Sequence, residues 1–248
     1  MKRLSIALLV TLAASTLGCT TSPTKDVITE LRRELDRYPA YSVILEDMRR
    51  EGSFVKRQEH LYRVVIAEPD SNGELAFRDE LLEWYPVSER VWERYRPCLG
   101  MTVAAKANVE EGETPTATEE CRPAGYGYVG DRRYGEWRTD SSGNSFWAFY
   151  GKYALLSHML GGLRGPVYRN EWDAYRTARR SNRPFFGTKS QWGTTGSMTR
   201  TTNPTFYQRQ QARSQASRSR FSDRVDQRAG RSRSSSSRSR SGGSRGGK

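Results

Sequence analysis

The sequence predicts an α+β fold: a small mixed domain with a few antiparallel strands and short helices, plus a disordered C-terminal tail. Three observations point there. Two runs rich in Val, Ile, Leu and Tyr, Tyr41 to Met48 and His60 to Ala67, have strand composition and are separated by Glu51-Gly52-Ser53, which allows a turn. Other segments carry apolar residues at helical spacing behind capping residues. From Tyr207 onward the chain holds twelve Ser, five Gly and twelve basic residues, with Phe221 and Val225 almost alone as apolar side chains. Such a tail cannot bury enough surface to offset its ordering entropy. The chain length of 248 residues allows one ordinary domain with appendages.

The N-terminus comes first. Lys2 and Arg3 precede Leu4 to Leu17, fourteen uncharged, small or apolar residues. As a helix this stretch spans about 21 Å, too short for a bilayer core and right for the centre of a signal peptide. No apolar run of about 20 residues follows, which excludes a polytopic membrane protein. The segment closes with Thr16-Leu17-Gly18-Cys19. These residues resemble the lipobox of bacterial lipoproteins, with Thr16 standing where the family prefers an aliphatic residue. The resemblance covers residues 1–19. It implies that Cys19 receives a diacylglyceryl group and becomes the acylated N-terminus after cleavage, so membrane lipid is an expected partner. Thr20 follows Cys19 in place of the Asp associated with inner-membrane retention, so the resemblance implies the outer membrane, facing the periplasm. Residues 1–18 are then the signal peptide and 19–40 the anchor with a tether helix.

In that helix Val27, Ile28, Leu31 and Leu35 share a face, with Thr24 as a cap and Pro39 as a stop. Residues 41–186 form the expected globular domain. After the two strands, Asp70-Ser71-Asn72-Gly73 is a turn signal. Glu74 to Tyr85 fits strand or helix. Ser88 caps a short helix bearing Val91, Trp92 and Tyr95 and stopped by Pro97. With Cys19 acylated, Cys98 and Cys121 form an even pair outside the cytoplasm, where such pairs are more often bonded than free, so a disulfide is expected. The chain-entropy account assigns this loop about 3 kcal/mol. Glu110, Glu111, Glu113, Glu119 and Glu120 lie inside it, so it reads as an acidic, solvated loop.

Of 27 aromatic residues, 15 lie between Tyr126 and Trp192. Gly125-Tyr126-Gly127-Tyr128-Val129-Gly130 and Tyr134 to Trp137 suggest glycine-punctuated strands or tight turns. Phe146 to Leu160 is apolar nearly all round and reads as a buried helix capped by Asn144 or Ser145. Asn170 caps a second helix in which Tyr168, Trp172 and Tyr175 share a face. These rings are expected in the core; a sugar- or base-stacking platform and a membrane-interface helix are the alternatives.

The search for chemistry returns little. His60 and His158 are far apart and read as satisfied structural residues; no Gly-x-Ser-x-Gly or His-Glu-x-x-His occurs. The G-x-G-x-x-G letters at Gly125–Gly130 lack a following helix pattern, so no dinucleotide site is expected. Three scattered cysteines and two histidines offer no zinc set. No metal, no cofactor and no catalytic residue is assigned, and an enzyme is disfavoured. Carboxylate pairs such as Asp131 and Glu136 keep an envelope glycan hydrolase as an alternative.

Charge is the informative feature. The net +13 divides unevenly: eleven Arg and one Lys against two Asp lie in residues 207–248, while Cys19 to Phe206 carries 27 positive and 26 negative groups. A near-neutral body thus precedes a Gly/Thr-rich linker (187–206) and a polycationic tail (207–248). Arg218, Arg220, Arg231, Arg233, Arg238, Arg240 and Arg245 are the expected polyanion-binding residues. Guanidinium forks onto phosphate better than ammonium does. The implied function is a lipid-anchored, non-enzymatic envelope protein whose tail engages lipid headgroups, lipopolysaccharide or wall polymer. An exported nucleic-acid-binding protein is the third reading. Without an external polyanion, the tail is expected to contact the acidic loop between Cys98 and Cys121.

Overall fold

The computed structural model describes residues 26–52, 57–107, 116–119, 121–153, 156, 158 and 165–237, the last nine and Thr116 by backbone alone. Cys19, the acidic Glu110, Glu111, Glu113 and Glu120, and Arg238, Arg240 and Arg245 lie outside the described residues. The architecture is α+β. Five helices are described: α1 (Val27–Leu35), α2 (Glu89–Tyr95), α3 (Arg169–Arg180), α4 (Ser197–Thr202) and α5 (Pro204–Ser237). The strands are β1 (Ala40–Glu51), β2 (Arg57–Pro69), β3 (Leu75–Pro86), β4 (Met101–Ala107), β5 (Thr116–Thr118), β6 (Arg122–Pro123), β7 (Gly135–Thr139), β8 (Ser145–Phe149) and β9 (Val167–Tyr168).

The main sheet is antiparallel in the order β3-β2-β1-β4-β5, with β6 also paired to β4. Its central strands are apolar on both faces because both are covered. On one face Tyr41, Val43, Leu45, Tyr62, Val64 and Ile66 pack under α1 and α2. On the other, Ile44, Val65 and Ala67 meet Tyr128, Tyr134 and Tyr153. Period-2 alternation along β1 and β2 sorts these residues.

Several local expectations hold. Val27, Ile28, Leu31 and Leu35 are the buried face of α1, although Asp26 is its cap and the helix ends at Leu35 before Pro39. Thr24 lies outside the described residues. The tether helix is therefore part of the core. Asp70 Oδ1 accepts from the Asn72 and Glu74 backbone, and Gly73 adopts φ +77° to close the turn. Ser88 Oγ caps α2 by accepting from Val91 N at 3.3 Å. The ambiguous Glu74–Tyr85 segment is strand β3.

Four expectations are corrected. The stretch between Cys98 and Cys121 is more than a solvated loop: β4, one of the most buried strands, lies inside it, paired to β1 on one edge and to β5 and β6 on the other. The apolar segment from Phe146 begins as strand β8 and a 3-10 turn at Gly151–Tyr153; Trp147 is the buried residue of β8, packed beside its cross-strand partner Trp137 and against α3, while its neighbours are half-buried. The 187–206 linker is packed structure. Trp192 and Phe206 are buried in the main core, and Thr194 joins Arg96 and Leu99 through its hydroxyl. The coil expected from Tyr207 is helical as far as Ser237. Residues 208–216, QRQQARSQA, are mostly strong helix formers, and the first turns of α5 are held by tertiary contacts, so propagation follows without an apolar face.

Candidate arginine cleft and basic helix

The aromatic-rich region is core. Phe77, Tyr128, Tyr134 and Tyr153 form an edge-to-face cluster with centroids 5.3 to 5.8 Å apart. Gly125 to Gly130 holds a 3-10 turn that presents Tyr126 and Tyr128 inward; Tyr128 shares a hydrogen bond with Ser42 at 3.2 Å. Trp172 and Tyr175 of α3 are buried against Tyr126 and Phe185, with Tyr168 half-buried on β9. These rings are occupied by one another.

The carboxylates are also committed. Asp131, which is buried, is gripped by Arg133 at 2.6 Å, and the exposed Glu136 by Arg138 at 2.7 Å. Glu119, the described member of the acidic set, binds Arg32 and Arg94 and accepts from Tyr95. Of the tail arginines, Arg209 binds Asp47 and Arg213 the Arg50 carbonyl; the other four loop glutamates lie outside the described residues. Among the described residues no cluster of three His, Cys, Asp or Glu could hold a metal. Cys98 and Cys121 are joined, with Cα atoms 5.7 Å apart. His158 is exposed, whereas His60 is fully buried and only half satisfied: Nδ1 meets the Tyr62 hydroxyl at 2.8 Å, and Nε2 has no partner among the described residues. Burial lowers its pKa to about 4.

What the fold does bring together is arginine. Near the C-terminal end of β1, Met48 and Arg50 share the face turned to α2, opposite His60 and Gln58 on β2. Trp92 of α2 covers His60, with ring centroids 5.4 Å apart. The root of α5 crosses the same end of β1. Phe206 enters the core, Arg209 Nη2 reaches Asp47 Oδ1 at 2.5 Å, and Arg213 Nη1 donates to the Arg50 carbonyl at 2.6 Å. Between these parts lies a cleft of about 230 Å³, lined by Met48, Arg49, Arg50, Trp92, Phe206, Arg209, Gln210 and Arg213. Arg49 binds Glu59 at 2.6 Å and lies 4.3 Å over Trp84. Arg50 binds both Glu89 oxygens, at 2.5 and 2.7 Å, and its Nε is buried without a hydrogen-bond partner among the described residues.

Beyond this cleft α5 is solvated. Every residue from Gln210 to Arg228 is exposed, including Phe221 and Val225, which are 67% and 47% exposed. At 3.6 residues per turn, Arg209, Arg213, Arg220 and Arg224 fall within an arc of about 60° and extend the cleft's charge along one side. Arg218 lies on the opposite side. Arg231 and Arg233 have their backbone in α5, with their side chains outside the described set. Sequence reasoning found Arg218 and Arg220 and missed Arg49, Arg50, Arg209 and Arg213 as a group. Their only local signal was the Arg49-Arg50 doublet at the end of a strand.

No protein-family model, curated protein or solved structure matches this chain.

Proposed function

We propose that this is a lipid-anchored envelope protein, acylated at Cys19, that engages anionic envelope material through the arginine-bearing helix α5 and the segment after it. One observation carries the reading. Beyond Arg213, which touches β1, α5 stays exposed as far as Arg228 and carries Arg218, Arg220 and Arg224 clear of the near-neutral body. A protein does not bury such a helix; it offers it to a partner of opposite sign. Each arginine near an anionic surface contributes about 1 kcal/mol before screening. Phe221 and Val225, one turn apart, give the same helix a small apolar contact for a lipid surface. The outer membrane facing the periplasm is the matching location. Asp131 and Glu136 face separate arginines, so nothing in their arrangement favours the glycan hydrolase.

Flotation of the chain carrying Cys19→Ser, so that no acyl group anchors it, with vesicles containing phosphatidylglycerol tests the proposal against the same chain truncated after Ser214. Binding is expected to fall at least tenfold on truncation and to weaken with salt. Equal binding of the two chains at low salt overturns it. Preferential binding of single-stranded nucleic acid over vesicles would instead favour the nucleic-acid reading.

A further inference from the structure

We infer that the cleft between β1, α2 and the root of α5 is a binding site for a phosphate ester of a small aliphatic alcohol, of the kind found in a glycerophosphate headgroup. The inference goes beyond surface attraction to α5 and rests on the envelope reading only for where such a ligand is met. Arg50, Arg209 and Arg213 line the cleft together with Arg49, whose own guanidinium stacks over Trp84, and a guanidinium fork matches two phosphate oxygens at once. Three of them already touch carboxylates: Arg49 with Glu59, Arg50 with Glu89 and Arg209 with Asp47. Those carboxylates fix the forks in place and use only part of their donors, since a guanidinium has five N–H groups. Arg213 is held by a backbone carbonyl, which leaves its charge uncompensated by the group that orients it. The Arg50 Nε–H is a buried donor with no acceptor among the described residues, a state that costs free energy until an acceptor arrives.

The remaining lining selects the rest of the ligand. Met48, Trp92 and Phe206 give an apolar floor. It offers no stacking platform, because Trp92 lies against His60 at 5.4 Å and under the Arg50 guanidinium at 5.5 Å. A nucleobase therefore finds no open ring face, whereas the carbons of an alkyl or glyceryl stem need none. The volume of about 230 Å³ suits a phosphoryl group and the first carbons of its alcohol. The site is also assembled late in the sequence: Phe206, Arg209, Gln210 and Arg213 complete a cleft whose other wall lies on β1 and α2.

Calorimetric titration of the full chain carrying Cys19→Ser, so that no acyl chain competes, tests the assignment. The probes are dihexanoyl phosphatidate, inorganic phosphate, adenosine monophosphate and dihexanoyl phosphatidylcholine. Phosphatidate is expected to bind tightest, with inorganic phosphate and phosphatidylcholine each weaker by about tenfold or more, the scale of one lost charge-assisted interaction. Arg213→Gln, an exposed position, should weaken phosphatidate binding about tenfold, while Arg220→Gln, on the same helix outside the cleft, should leave it unchanged. Equal loss in both variants means non-specific attraction to α5 and overturns the site. Adenosine monophosphate binding as tightly as phosphatidate, or inorganic phosphate doing so, overturns the ligand class. Vesicle flotation of Arg213→Gln separates the two proposals: flotation retained with no phosphatidate binding in the parent chain sinks the cleft alone, and phosphatidate binding without flotation sinks the envelope reading alone.

Discussion

Arg209 and Asp47, 162 positions apart in sequence, meet at 2.5 Å where the root of α5 crosses the C-terminal part of β1. Asp47 is nearly buried, next to a β-bulge that shifts the β1–β2 register between Leu45 and Asp47. Its Oδ1 also accepts from the Met48 backbone at 2.7 Å, and Asn203 Nδ2 donates to the Glu46 carbonyl at 2.8 Å just before the helix begins. A bulge re-aims one side chain, and here that side chain moors the basic helix.

Arg209→Ala leaves the Asp47 carboxylate without its cation, and stability is expected to drop by about 1–3 kcal/mol. Asp47→Ala with Arg209→Ala should be less destabilised than the two single changes added together. Urea unfolding of the four chains of this double-mutant cycle measures the coupling. Additive losses would mean that the pair does not hold α5.

His60 makes folding depend on pH. Burial keeps its pKa at about 4 in the folded protein, against an ordinary 6.5 in the unfolded chain. Above pH 6.5 both states leave it neutral and its contribution is whole. As pH falls from 6.5 to 4 only the unfolded chain takes up the proton, so stability is lost progressively, by up to about 3 kcal/mol. Below about pH 4 this group adds no further loss. His60→Phe keeps a ring beneath Trp92 and orphans the Tyr62 hydroxyl, so it should be less stable at pH 7. Its unfolding free energy should nevertheless fall less between pH 7 and pH 4.5 than that of the parent.

Gly135 opens β7 under the backbone of β8. A Cβ there would lie 2.3 Å from the Ala148 carbonyl oxygen and 2.9 Å from Trp147, so backbone has to move. Gly135→Ala is expected to cost more than about 2 kcal/mol. Gly143→Ala, in the β7–β8 turn at φ +84° with open space around it, should cost about 1 kcal/mol, from backbone strain alone. Thermal unfolding ranks the two, and the reverse order would remove the close approach as the reason for glycine at 135.

Much of the fold was legible because its signals are local. Four apolar residues at helical spacing define α1, Ser88 caps α2, and Asp70 to Gly73 turns the chain between β2 and β3. The errors share a different cause. Phe146, Trp147 and Phe149 are apolar whichever way they point, so periodicity cannot separate this strand from a buried helix. Residues 187–206 hold few aliphatics, yet Trp192 and Phe206 fill the main core and Thr194 supplies hydrogen bonds that composition does not reveal. The cleft was invisible for the same reason. Arg49 and Arg50 sit on β1, Trp92 on α2, and Arg209 and Arg213 on α5, and only the long-range bulge contact unites them.

The Cys98–Cys121 bridge ties the 3-10 turn after α2 to the strand that follows the β4–β5 hairpin. Because it encloses β4, opening it frees the strand that joins β1 to β5. Paired Cys98→Ser and Cys121→Ser should lower stability by about 3 kcal/mol, and the parent should show the same loss under reducing conditions. Reduction without effect on denaturant midpoint would mean that packing of Met101 and Val103 alone holds β4.

Two truncations divide α5 into a structural root and a solvated extension. A stop after Asn203 removes Phe206, only 4% exposed within the main core, together with the Tyr207 hydroxyl bond to the Thr194 carbonyl at 2.7 Å and the Arg209–Asp47 pair. Losing a buried phenylalanine alone costs about 3–5 kcal/mol, enough to unfold a marginal domain. A stop after Ser214 keeps all of these and the Arg213 contact to β1, and the residues it discards up to Arg228 are all exposed. Its melting temperature should lie within a few degrees of the parent's. If both stops destabilise alike, the exposed part of α5 supports the fold and its arginines cannot be treated as free for a partner. If neither does, Phe206 and Arg209 merely lie on the body, and the cleft they complete would not be a fixed structure.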